Sequence, residues 1–390
     1  MRLTATAIRG LRQANDALRT RFPDIGLSAS SLRLGCAEGF LAQALCGLPS
    51  ADPTATGFTC QRLGGALVDL LEDVVGAGRM MAVIGDERAQ VLHLLGETEL
   101  DEHEGELRLD SAALHLRLRS APVTAVAVTQ RTGCPCGGRL GVMLYDASGR
   151  PVLRLYRTVE CDRALLAEVV ATYHADEQDA VLHLLATDET DHAPVGGEQP
   201  AASTELSPLA AQRLRARWLA ATSPDEVDQL LRDAIARGCD RLAVLDHAGP
   251  LCVQHLPVEH LAQLIAGLAD PSHPCAVIPP LGSASSCILG RFDSSACLDR
   301  VHHLNSHEVS VRFAHDAIAG LRVVRYPHGA AGMLHGVEAF SATRERLWSV
   351  MPGIVLGQPE PAQWSVLIAR LTAGDALRQG GSLFRPASTS

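Results

Sequence analysis

Apolar and polar positions follow two rhythms along this chain, and the change from one to the other happens twice. Residues 6–21 carry apolar side chains at helical spacing and Pro23 closes the segment. Residues 28–48 predict a further helix or pair of helices, and 59–75 another. From 79 to 158 the period becomes two. The run ALHLRLR sets Leu114, Leu116 and Leu118 on one face and His115, Arg117 and Arg119 on the other. GVMLYDASGRPVLRLYR predicts a hairpin turning at 146–149, and 161–185 predict a helix capped near Asp162.

The polar stretch TDETDHAPVGGEQPAASTELS, rich in Gly, Pro, Ser and Thr, predicts a linker over 187–207. Helical spacing returns at 209–221 and 223–237, where Ser223 stands as N-cap with Glu226 three residues on. Residues 255–269 predict a short helix, 286–351 a set of strands, and 359–371 a closing helix. The second half thus repeats the first. Residues 114–157 match 308–351, with Arg117 and Arg312 at equivalent places. GRMMAVIGD pairs with CDRLAVLDH, and VLHLLGE with SCILGRFD. The expected fold is α+β: two similar modules, 1–186 and 208–375, each a mainly antiparallel sheet with flanking helices, followed by a flexible tail over 376–390.

Composition narrows the class. A net charge of −10 argues against a nucleic-acid partner, although every one of the 34 basic residues is Arg and local clusters remain possible ligands for an anion. No apolar run reaches the roughly 18 residues of a membrane helix, so no membrane insertion is expected. The start, MRLTATAIRGLRQAND, lacks the apolar core of a signal peptide. The eleven cysteines, odd in number and irregular in spacing, then read as reduced thiols of a cytoplasmic protein. Cys134-Pro135-Cys136 reads as a hairpin tip, and His302, His303 and His307 as members of a loop between strands. No P-loop, dinucleotide fingerprint or HExxH motif is present.

Four segments in order resemble the HemS/HmuS/ChuS family of bacterial haemin-utilisation proteins, over about residues 7–371. LGCAEGFLAQALCG is similar to the family's N-terminal helical segment, and LHLRLRS to its first-repeat strand. HDAIAGLRVVRYPHGAAGMLHGVEAFS resembles the pattern DAIAxxWVVRKPTxDGxVTSLELFD, and GQPEPAQW the ending GQPExxxW. The resemblance implies a pair of α+β modules and haem as cofactor. It implies a cytoplasmic protein of haem uptake that binds haemin for trafficking or iron release, with a haem-uptake permease or downstream acceptor as further partner. Two alternatives stay open: an oxygenase-type enzyme that degrades haem, and an iron-free relative that takes another planar or anionic ligand.

The resemblance also points to site residues. Arg325 retains the Arg of the family's VVRKP and is the expected propionate partner, with Arg117 and Arg312 on the polar side of equivalent strands. The family's axial His, in a segment like DTHxFFxxLRK, is replaced by Asp225 in SPDEVDQLLRD. Tyr326, His328 and His315 are the residues that stand in reach of the missing axial role by their place in the motif, and His93 resembles a first-repeat His of some members. Tyr326 replaces a Lys, Ala314 stands where Arg is frequent, and the basic residues before GQPE are lost. Asp225 is expected at a helix start facing the cleft between the two modules, where the N-terminal dipole favours a carboxylate.

Overall fold

The two rhythms become two α+β units. The computed structural model describes residues 4–48, 57–119, 123–131, 139–178, 206–272, 274–279, 284–353 and 358–380. The first unit comprises Met1–Asp86, Val91–Val195 and Leu281–Ser286, and the second Glu87–Gln90, Gly196–Pro280 and Cys287–Ser390. The Cys134-Pro135-Cys136 segment, the linker up to 205 and the tail from 381 lie outside the described residues.

The first unit opens with helices α1 (Ala5–Arg21), α2 (Leu27–Leu34) and α3 (Glu38–Leu45), then strand β1 (Gly57–Leu63) and helix α4 (Leu67–Gly76). Strands β2 (Gly78–Asp86) and β3 (Ala89–Leu94) follow, then a meander of β4 (Thr98–His103), β5 (Glu106–Ser111) and β6 (Leu114–Arg119). β7 (Thr124–Arg131), β8 (Arg139–Tyr145) and β9 (Pro151–Cys161) lead to helix α5 (Arg163–Thr172), whose cap is Asp162 as expected. The strands lie side by side in the order β1-β7-β8-β9-β2-β3. Leu41, Ala42 and Leu45 of α3 pack on Phe58, Val126, Val128 and Tyr145 of the sheet. Each fully buried large apolar side chain contributes about 1.5–3 kcal/mol.

The second unit runs the same programme. Helices α6 (Pro208–Ala220), α7 (Pro224–Ala236) and α8 (Arg241–Ala248) precede β10 (Val253–Leu256), α9 (Leu261–Leu268), β11 (Cys275–Ile278) and β12 (Ala284–Gly290). The meander is β13 (Ser294–Leu298), β14 (Val301–Asn305) and β15 (Val309–Ala314). β16 (Gly320–Pro327), β17 (Met333–Phe340) and β18 (Arg346–Pro352) are followed by helix α10 (Ala362–Gly380). Strand order is β10-β16-β17-β18-β11-β12, position for position that of the first unit, with antiparallel pairing of β10 with β16, β16 with β17, β17 with β18, β18 with β11 and β11 with β12. Trp218, Leu230, Leu231, Val244 and Leu245 from α6–α8 pack on Val253, Val324, Leu334 and Phe340. The expected duplication is present, and Arg117 and Arg312 are each the fourth residue of equivalent strands, β6 and β15.

Several expectations change. CDRLAVLDH is not the counterpart of GRMMAVIGD: it forms α8, because Asp240 caps its N-terminus by accepting from the Ala243 N–H at 2.6 Å. The counterpart of β2 is β11. Residues 59–75 divide into β1 and α4 at Gly64-Gly65, with Gly65 at φ +88° in a conformation that favours glycine. His255 belongs to β10 and not to a helix, and α5 stops at Thr172. His302 and His303 sit within strand β14, where alternation buries His302 and half-exposes His303. α10 continues to Gly380, past the expected end of the closing helix.

Candidate functional site

The hairpin β16–β17 in the second unit organises the site. Its register sets Arg325 opposite His335, Tyr326 opposite Leu334 and Pro327 opposite Met333. Successive side chains on a strand point to opposite faces. Tyr326 and Leu334 therefore face the core with α6–α8, while Arg325, Pro327, Met333 and His335 share the other face. Arg325 and Tyr326, expected to serve one ligand together, cannot do so from adjacent positions on a strand.

Tyr326 is committed elsewhere. Its hydroxyl donates to Glu338 Oε1 at 3.2 Å, and Glu338 accepts two further bonds from Arg241, at 2.8 and 2.6 Å. Burial, reinforced by the Glu338 charge, pushes the Tyr326 phenol well above its ordinary range. A neutral phenol that donates to a carboxylate is not a phenolate ligand for iron, so the structure removes Tyr326 from the axial candidates.

Arg325 remains available to an anion. Its guanidinium donates to the carbonyls of Pro250 at 3.2 Å and Leu251 at 3.4 Å and to Gln254 Oε1 at 3.5 Å, all neutral acceptors. Its own carbonyl accepts from Trp218 Nε1 at 2.9 Å. Beside these residues lies a cavity of about 330 Å³ lined mostly by apolar groups, among them Trp218, Leu219, Leu251, Cys252, Pro327 and Met333. Leu251, Leu219 and Met333 are 66%, 58% and 41% exposed, a cluster of large apolar side chains around a concavity. The Gly329 N–H donates to the Thr222 carbonyl at 2.7 Å, which ties the β16–β17 turn to the link between α6 and α7. Burial pushes the Cys252 thiol up, with Arg325 and Arg215 working against it, so the cavity holds a thiol and not a thiolate.

The other expected residues are spread more widely. Asp225 does lie in the first turn of α7, exposed, behind a cap in which Ser223 accepts from the Glu226 N–H and Glu226 accepts from the Thr222 N–H. His328 is buried in the hairpin turn, where its N–H donates to the Gly332 carbonyl and its carbonyl accepts from Ala331. His315 lies beyond β15, its Nδ1 3.1 Å from Nε2 of His302. Burial, with His315 and His303 adding to it, lowers the His302 pKa and favours its neutral form. Arg312 and Arg117 are exposed on the meander strands, and Arg117 lies 3.8 Å from Glu106. None of these five lines the cavity. His93 is buried in the first unit and held by Ser111 at 3.0 Å.

One contact on the face of Arg325 escaped the sequence reading. His335, opposite Arg325, is held by Glu360 of the GQPE turn: Nδ1 lies 3.0 and 3.1 Å from the two carboxylate oxygens, and the His335 backbone N–H donates to Glu360 Oε2 at 2.6 Å. Ser365 donates to the same carboxylate at 2.6 Å, and Trp364 Nε1 donates to the His335 carbonyl at 2.8 Å. Burial opposes the charge on Glu360, but the hydrogen bonds from His335 and Ser365 prevail and hold its carboxyl below the usual range. A carboxylate accepts only, so Nδ1 carries a proton and donates it to Glu360. Among the described residues no three His, Cys, Asp or Glu side chains converge as a metal cluster, so a multidentate protein site is not built there.

No protein-family model matches the chain, and no curated protein matches it. Solved structures do, and the fold they share defines the class: a protein of two α+β units with large antiparallel sheets. The chain is similar to holo-PhuS, a haem-binding protein from Pseudomonas aeruginosa, at 22% identity and TM-score 0.75, over 92% of this chain and 97% of that one. The apo form of PhuS matches at 21% identity and TM-score 0.74, over 93% and 99%. ChuS, a haem-degrading enzyme of Escherichia coli O157:H7, matches at 17% identity and TM-score 0.74, again over 93% and 99%. The fold expected from the resemblance to the HemS/HmuS/ChuS proteins is therefore present over nearly the whole chain. Among the described residues no helix is long and apolar enough to cross a membrane.

Proposed function

We propose that this protein binds haem on the second unit, at the apolar cavity beside Arg325, and serves haem uptake by carrying haemin to an acceptor. The observation that carries the reading is Arg325 itself: a cation whose three acceptors are neutral, one of them the carbonyl of Leu251, which with exposed Leu219 and Met333 lines an apolar concavity. A flat apolar ring with two carboxylates complements that arrangement. The ring gains about 25 cal/mol per Å² of apolar surface buried, and a propionate on Arg325 contributes about 1.5–3 kcal/mol. The fold shared with PhuS and ChuS supports the reading. Haem, when bound, would supply the iron. The chain's residues supply the apolar wall and the charge for the propionates.

Titration with haemin tests this directly. A saturable Soret band, with quenching of the Trp218 fluorescence that is absent in Trp218→Phe, is the expected result. Arg325→Ala should weaken binding by about 10–100-fold. No saturable band would refute the reading. The bound complex incubated with a reductant and oxygen separates carriage, in which the band persists, from degradation, in which it decays with release of iron.

A further inference from the structure

We infer that the first unit carries a binding site for a small phosphate monoester, in the cleft between the end of α1 and the side of α2. The inference goes beyond the haem reading and stands or falls without it. Three observations carry it. First, two cations are held inside one cleft. Arg21 and Arg33 both line a cavity of about 420 Å³, together with the Phe22 ring. The guanidinium carbon of Arg33 lies 4.2 Å from the centroid of that ring, and that of Arg21 lies 5.4 Å from the same centroid. Second, neither cation has an anion. In a chain of 44 acidic and 34 basic residues, Arg79, Arg154, Arg241, Arg322 and Arg344 each pair with an Asp or Glu. Among the described residues no carboxylate lies within ion-pair distance of Arg21 or Arg33, and neither guanidinium donates a hydrogen bond. Third, the cleft has an apolar wall and an open floor. Pro23 and Ile25 line it beside Phe22, and Ala29, four residues before Arg33 on the same face of α2, leaves room where a longer side chain would fill it.

The chemistry of the lining selects the ligand. Each guanidinium presents its whole fork of N–H donors, a geometry that matches phosphate and carboxylate oxygens. Two positive charges at one ring favour a compact dianion over an anion of single charge. A phosphate monoester carries about −1.5 to −2 charges near neutral pH on three acceptor oxygens, and its organic body can pack on Ile25 and Ala29. Both Arg residues lie in the last turns of their helices, where the dipole favours a cation. That accounts for their sign and not for their convergence on one ring. Asp24 is the opposing charge: it also lines the cleft, exposed and outside ion-pair distance of both guanidiniums, and works against an anion.

The full chain is titrated by calorimetry with phenyl phosphate, inorganic phosphate and benzoate at low ionic strength. Phenyl phosphate should bind saturably, more tightly than inorganic phosphate, which lacks the apolar body, and about tenfold or more above benzoate, which has one charge. Added sodium chloride should weaken it. Arg21→Met and Arg33→Met should each weaken it by about 10–100-fold. Ala29→Leu keeps both cations, fills the floor and should also weaken it, whereas Asp24→Asn should tighten it. Haemin titrations of these variants should match the wild type, and Arg325→Ala should leave phenyl phosphate affinity unchanged. The four substituted positions are exposed, so thermal melts should not move. Amide shifts of Phe22, Ile25 and Ala29 on adding phenyl phosphate to the wild type locate the site without any variant. If phenyl phosphate does not saturate, shifts only amides elsewhere, or binds the Arg21→Met/Arg33→Met double variant as it binds the wild type, the site falls and the haem reading is untouched. If benzoate or inorganic phosphate binds as tightly, the monoester assignment falls.

Discussion

At the scale of single residues, buried charge decides more than surface charge. Glu38 accepts from Arg154 Nε and Nη2, both at 3.1 Å, and from Tyr145 at 2.9 Å, with Ser28 also donating to it. Burial works against the Arg154 charge, but Glu38 overcomes it and the guanidinium is held above its ordinary value. Removing one partner would strand the other, so Glu38→Ala should cost about 3–5 kcal/mol in urea unfolding. Glu38→Leu combined with Arg154→Met should cost less than the sum of the singles, measured as a double-mutant cycle. Gly39 is fixed by the same cluster, since a Cβ there would lie 2.6 Å from the Tyr145 ring. That ring is tethered through its hydroxyl, and Gly39→Ala should destabilise by about 1–3 kcal/mol. Acid sensitivity follows from Glu360. Its folded pKa is depressed, so its contribution is complete above the usual carboxylate range near 4 and is lost as pH falls through the depressed value. Glu360→Gln should lower stability at neutral pH and flatten its loss on acidification, as pH-dependent denaturation will show. Tyr326→Phe should leave the haem spectrum unchanged, because the phenol belongs to the core face.

Helices and strands were legible to different degrees. α1 could be read from its amphipathic spacing and the Pro23 stop, and α7 because the Ser223 cap, which accepts from the Glu226 N–H, precedes an amphipathic pattern. Ser223→Ala should therefore cost about 1 kcal/mol, seen as a lower melting temperature. α8 was misread because the short apolar run Leu242–Leu245 fits a buried strand as well as a buried helix, and the Asp240 cap decides for the helix. β1 was absorbed into a helix because its inward apolar residues, Phe58 and Cys60, are few and the Gly64-Gly65 break is short. In the site, Arg325 was legible as a retained motif residue. The contact of His335 was not, because it depends on Glu360, 25 residues away, and on a register that no local pattern specifies. Adjacency in sequence misled in the opposite direction for Tyr326, since neighbours on a strand serve different faces.

At the scale of the whole chain, two units share one order of elements, and duplication brings a hazard: each unit's parts resemble the other's. The buried ion pairs bear on it. Glu38 and Arg241 each open the third helix of their unit. In the first unit the helix carries the acid and the sheet the base, Arg154; in the second the helix carries the base and the sheet the acid, Glu338. A third helix that docked on its sibling's sheet during folding would set Glu38 against Glu338, or Arg241 against Arg154. Uncompensated like charges in a core cost several kcal/mol, enough to reject the wrong partner before the apolar surfaces close. A chain carrying Glu38→Arg with Arg154→Glu keeps the attraction within the first unit but removes this discrimination. It should refold from urea with a lower yield of monomer by size-exclusion chromatography and with an equilibrium stability near that of the wild type. The sign of one buried charge then works as an address, by which each half of a duplicated chain recovers its own helix.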